Sequence, residues 1–168
     1  MPSKIERITD VIDNLRRVFQ VVHGHSQKAI RETGLTGPQL WAVKVIADSG
    51  PIKVSDIASR MYLHPATVGG ILDRLEVRNL VVRTRSHQDR RVVYVDLTEQ
   101  GRELVSKAPE VAQGLLVKGL EVLSDEQFSR IAEGMEQVVR ILGAENITPQ
   151  PLSQAKTVIK EETHENFS

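Results

Sequence analysis

Two short apolar stripes, on helices separated by three residues and followed at once by a change of period, constrain this chain more than any other feature. Val54, Ile57, Ala58 and Met61 fall at i, i+3, i+4 and i+7, and Val68, Ile71, Leu72 and Leu75 repeat those offsets. Each set lines one face of a helix. The joint, Tyr62-Leu63-His64, leaves room only for a tight turn, and Pro65 suits a first helical position. Two amphipathic helices joined this way form a helix-turn-helix. The period then becomes that of strands. Leu80–Arg85 and Arg91–Leu97 are rich in β-branched residues, and the polar stretch Ser86–Arg90 lies between them. A β-hairpin with a charged tip is predicted, placed as a wing.

The flanks read as long helices. Ile5, Ile8, Ile12, Leu15, Phe19 and Val22 follow spacings of 3, 4, 3, 4 and 3, a heptad seam. His23-Gly24-His25 weakens the pattern, which resumes to about Thr33, and Gly34 suits a stop. Thr36-Gly37-Pro38-Gln39 has the form of a capping box with proline in the first turn. After the hairpin, Thr98 caps a long helix that Pro109 is expected to kink. Ser124-Asp125-Glu126-Gln127 opens a last helix, with Phe128, Ile131, Met135, Val138 and Leu142 again spaced 3, 4, 3, 4 before Gly143. Two seams at opposite ends of the chain have little to bury against in one protomer. Pairing them across a two-fold axis, as a homodimer, resolves this; the alternative is that the seams form intramolecular core.

The expected fold is mainly α (α+β): a winged helix-turn-helix with a small antiparallel β wing and long terminal dimerisation helices. The expected layout is one domain over 1–143, with a DNA-binding lobe at 35–98 and dimerisation helices at 4–33 and 98–143. Residues 144–168, polar and with prolines at 149 and 151, read as a flexible tail.

The outer face of the second short helix carries the functional signal. His64, Pro65, Ala66, Thr67, Gly69, Gly70 and Arg74 are small, hydrogen-bonding or cationic. Small residues let a helix backbone approach the floor of the major groove. Adjacent glycines cost a helix about 1 kcal/mol each against alanine, so close approach to another surface explains them better than packing economy. On the wing, Arg83, Arg85, Arg90 and Arg91 suit phosphates and the narrow minor groove, with Asp89 placed to hold the Arg91 guanidinium. The chain balances 22 basic against 22 acidic residues, yet Lys53–Arg91 holds eight basic and four acidic residues, a local net of +4. Location of charge, rather than its sum, is what nucleic-acid binding requires.

Other classes fare poorly. Absence of cysteine removes disulfides, thiolate metal sites and thiol nucleophiles. His23 and His25 do not share a helix face, so neither a metal nor any other cofactor is expected. The chain shows no glycine-rich phosphate loop, no Gly-x-Ser-x-Gly elbow and no His-Glu-x-x-His, so no enzyme is expected. No signal peptide or membrane-spanning run is visible, which places the chain in the cytoplasm without a membrane partner. The alternative to a DNA-binding regulator is a winged-helix module for protein–protein contact.

The ordered set Leu35-Thr36…Gln39-Leu40, Val54-Ser55-Asp56-Ile57-Ala58, Thr67-Val68…Leu72-Asp73-Arg74-Leu75-Glu76…Asn79-Leu80-Val81, Asp89-Arg90-Arg91 and Leu97-Thr98-Glu99-Gln100-Gly101 resembles the MarR family of bacterial transcription regulators. The resemblance implies a homodimer with interleaved terminal helices. It further implies repression from a palindromic operator in double-stranded DNA and release by a small, often aromatic, effector. The family's Asp-x-Arg wing motif maps onto Asp89 and Arg91. An effector cleft near the helical seams makes His23 a candidate pocket residue; Trp41, the single tryptophan, is a second candidate, with a place in the core as its more usual alternative. Two positions and one absence depart from the pattern. Asn79 stands where glycine is frequent, and asparagine also tolerates left-handed geometry. Lys53 stands where a capping Ser or Thr is common. The missing cysteine is incompatible with the family's peroxide-sensing branch.

Overall fold

The computed structural model describes residues 1–152. Helix α1 (Lys4–Thr33) is continuous through Gly24. Ser3 and Glu6 close a capping box at its start, and Gly34 ends it with φ 69°. Arg78, distant in sequence, donates to the Gly34 carbonyl at 2.8 Å and the Thr33 carbonyl at 3.3 Å, supplying the last turn with donors and a positive charge. Only the final third of α1 is buried, through Ser26 and Ala29.

Helix α2 (Gly37–Ser49) is the hub. The Thr36/Gln39 capping box forms as its sequence indicates. Leu40, Trp41, Ala42, Val43 and Ile46 are all buried. A helix apolar on so many sides must be covered all round. Helices α3 (Val54–Met61) and α4 (Pro65–Val77) supply much of that cover with Ile57, Ala58 and Met61 and with Val68, Ile71, Leu72 and Leu75. Tyr62, at φ 53° and ψ 40°, makes the tight turn between them.

Asn79 takes φ 56° and turns the chain into β2 (Val81–Arg85). Strand β2 pairs antiparallel with β3 (Val93–Leu97), with Val81 opposite Leu97 and Arg85 opposite Val93. A third strand joins them: β1 (Ile52–Lys53) pairs antiparallel with the far side of β3, in the order β1-β3-β2. Its two residues are too few to show a period, so the sequence gives no sign of it.

The helix expected to run on from Glu99 with a kink is two helices, α5 (Glu99–Ser106) and α6 (Ala112–Glu121). Pro109 has no N–H to give a helix, and it pushes Ala108 away from helical geometry. Burial of Val111 in the core completes the break. At the start of α5, Gly101 lies so close to the Leu80 carbonyl that a Cβ there would fall on that oxygen. Glycine at 101 therefore sets how tightly α5 packs against the start of the wing.

Helix α7 (Asp125–Ile141) opens with the Ser124/Gln127 capping box, and Gly143 takes φ 63° after it. No residue of α7 is buried among the described residues. Of the expected tail, 153–168 lies outside the described residues; before it, the Leu152 carbonyl oxygen comes back beside Gly37.

Candidate nucleic-acid interface

On α4 the apolar stripe faces the core, and Ala66, Gly70 and Arg74 are exposed, with Thr67 half-buried beside them. His64 does more than flank this face. It is the N-cap of α4, and its Nδ1 accepts the Ala66 N–H at 3.2 Å. Histidine is not among the usual capping residues, so that role was not visible in the sequence. A Cβ built at Gly69 or at Gly70 meets no described atom within 4 Å. Nothing in the described protomer calls for a glycine at either position. The face is open to a surface that approaches from outside.

Arg83, expected among the cations offered by the wing, is committed elsewhere. Its guanidinium bonds Asp73 at 2.6 Å, Glu76 at 3.0 Å and the Gly69 carbonyl at 3.2 Å. The side chain is 25% exposed, and its charge is balanced by the two acids of α4. Arg78 is likewise held at the end of α1, and Arg60 donates to the Ser49 hydroxyl. Lys53, Arg74, Arg85 and Arg90 remain exposed, with no ion pair among the described residues. Arg91 joins them in practice.

The wing tip is built by backbone bonds. Ser86 N–H donates to the Val92 carbonyl and Val92 N–H to the Asp89 carbonyl, each at 2.9 Å. Asp89 accepts the Arg91 N–H at 3.0 Å, a local turn that its carboxylate favours. The expected grip of Asp89 on the Arg91 guanidinium is weak. Their closest approach is 4.0 Å, and the Arg91 side chain is 94% exposed. A pair so exposed contributes little in water. Asp89 thus shapes the loop, and Arg91 is left free at its tip.

The two candidate pocket residues separate. Trp41 is buried at 5% exposure but also lines a groove of about 340 Å³ beneath α2 and α6, together with Lys44, Glu110, Val117 and Glu121. His23 is exposed on α1 and does not line that groove. His25, two residues on, bonds the Glu110 carbonyl through Nδ1 at 2.9 Å. At the groove's rim, Tyr62 in the helix-turn-helix joint donates to Glu121 on α6 at 3.1 Å, and that carboxylate raises the phenol above its ordinary pKa. The seam residues are mostly uncovered. Ile5, Ile8, Ile12, Phe19, Phe128, Ile131, Met135 and Leu142 are exposed, whereas Leu15 and Val138 are half-buried.

No group of three or more acidic or histidine side chains is placed to hold a metal among the described residues. No helix among them is long and apolar enough to cross a membrane.

The MarR family model matches residues 35–93. The chain is 30% identical over 132 residues to the HTH-type transcriptional repressor MdtR of Bacillus subtilis (strain 168), spanning 79% of this chain and 85% of that protein. The crystal structure of YusO from Bacillus subtilis superposes with a TM-score of 0.52 at 27% identity, over 83% of this chain and 99% of that one. The S. aureus MepR–DNA complex shares the fold, with a TM-score of 0.53 at 19% identity over 76% of this chain and 94% of that one. An uncovered helix face beside an arginine-tipped wing, on a three-stranded winged helix, is what these relationships lead one to look for; the chain belongs to the MarR family of DNA-binding transcriptional regulators, which are not enzymes.

Proposed function

We propose that this regulator is a homodimeric repressor. In this reading each protomer lays α4 in the major groove of one half of a palindromic operator and places Arg91 in the adjoining minor groove. The lobe at 35–98 reads DNA, and the helices within 4–33 and 98–143 join the protomers. The carrying observation is the open face at Gly70, beside Thr67 and Arg74, which no described part of the protomer covers. The free arginines at the wing tip support it. Repression is supported by the similarity to MdtR, which is named as a repressor. Dimerisation is supported by the bare seams of α1 and α7. A two-fold axis would set two recognition helices about 34–36 Å apart, one turn of B-form DNA.

Fluorescence anisotropy on promoter DNA across a salt series tests the reading. Each phosphate contact contributes about 0.9 to the slope of log affinity against log salt. Arg91→Ala, one change in each of two protomers, is expected to weaken binding and to lower that slope by about 2. Wild-type protein that binds neither promoter nor random DNA at low salt would overturn the reading.

The effector is proposed to be a small aromatic molecule seated in the groove beside Trp41, whose floor is apolar and whose rim carries both signs of charge. Trp41 is the chain's single tryptophan. Its emission is therefore expected to change as the effector binds, over the same concentrations that release DNA. Release without any change in emission places the effector elsewhere.

A further inference from the structure

Arg83 stands in the middle of β2, opposite Val95, yet its guanidinium ends on α4. Its three acceptors belong to residues 69, 73 and 76, spaced 4 and 3 and so on one flank of that helix. Thr67, Gly70 and Arg74 lie towards the other side of the exposed face. The contact therefore ties the wing to the recognition helix without covering the residues proposed to read bases. Arginine suits the task because its planar fork offers several donors in fixed directions, and bonds to carboxylates are the strong kind.

We propose that Arg83 is a positioning residue, a clamp that holds the wing at a fixed offset from α4 so that the two enter neighbouring grooves as one rigid unit. The proposal rests on the DNA-binding reading above. The offset needs holding because the wing acts as a lever. From Arg83 to His87 at the tip the chain reaches at most about 13 Å. A swing of about 20° over that length moves the tip by about 4 Å, most of the roughly 6 Å width of the minor groove. The clamp also removes a penalty, since Asp73 and Glu76 on an uncompensated α4 would face phosphates with like charge.

The test has two arms, both on the full chain. The first is a cycle of operator affinities. Arg91→Ala is expected to cost about tenfold in the wild type and less than about threefold when combined with Arg83→Met. The acid-free variant Asp73→Ala/Glu76→Ala should show the same loss of coupling. Simple charge removal would instead tighten its binding and leave the Arg91 penalty intact. Alanine keeps α4 helical, so this variant carries the test even where Arg83→Met folds poorly. An equal Arg91→Ala penalty in every background overturns the clamp while leaving DNA binding in place. The second arm needs no DNA. The chain has no cysteine, so spin labels at Val77→Cys and Gln88→Cys, in protomers diluted with an excess of unlabelled protein, report the distance between α4 and the wing tip within one protomer. That distribution is expected to broaden in Arg83→Met and in the acid-free variant, and an unchanged width overturns the proposal. Failure of the wild type to bind DNA, with broadening still seen, would sink the DNA reading and leave the mechanical clamp standing.

Discussion

Phe19→Asp combined with Ile131→Asp is expected to turn the protein into a monomer and to lower operator affinity by more than about a hundredfold. Phe19 and Ile131 are 66% and 45% exposed, so neither substitution opens a cavity within the described protomer. The cost appears only when a second copy covers them. Burying an unpaired carboxylate is far more costly than leaving it in water, by several kcal/mol per ion. Two-fold symmetry repeats each change in both copies. The loss of DNA affinity follows because a monomer engages one half of the site, without the gain from a linked second half. Analytical ultracentrifugation checks the mass, circular dichroism the fold, and anisotropy the binding. A stable dimer from the doubly substituted protein would show that the seams of α1 and α7 are not the interface.

Gly69→Ala with Gly70→Ala is expected to raise stability and to damage function together. Both glycines lie inside α4, where alanine is favoured by about 1 kcal/mol per residue. A Cβ at either position meets no described atom within 4 Å, so little opposes that gain. For a chain of this size a gain of 1 kcal/mol moves Tm by about 2–4 °C, and the pair should raise it by several degrees. The Gly69 carbonyl that receives Arg83 is backbone and survives the change. Operator binding is expected to fall by about tenfold or more, because the methyl at position 70, on the face shared with Thr67 and Arg74, holds the helix off the groove floor. Calorimetry and anisotropy on the same preparation measure the two signs. Higher Tm with unchanged affinity would mean that this face of α4 is not the one that meets DNA.

Much of the fold was legible in the chain because its signals are local. The capping boxes of Thr36/Gln39 and Ser124/Gln127 act over three residues and form as written. Asn79 adopts the left-handed turn that its position suggests. The stripes of α3 and α4 bury the residues their period selects. Pro109 was visible as a disturbance, but its outcome was not. Whether such a proline bends a helix or ends it depends on what the next residues find to pack against, and here Val111 finds the core. His64 escaped notice as a cap because its fit rests on one ring orientation.

The basic residues of the reading head show the same division more sharply. Their concentration between Lys53 and Arg91 is a property of the sequence alone, as is the setting of small residues on one face of α4. Which of them face outward is not. Arg83 reaches acceptors 7, 10 and 14 residues earlier in the chain, and Arg78 reaches carbonyls 44 and 45 residues away. Those partners come within reach only once β2 has docked beside α4 and α1 has ended beside Arg78. Helix periods, caps and turns are decided by steric and hydrogen-bonding rules within a few residues, so the chain carries them openly. The pairing of a charge is decided by distances between separate elements, and packing of the core sets those distances.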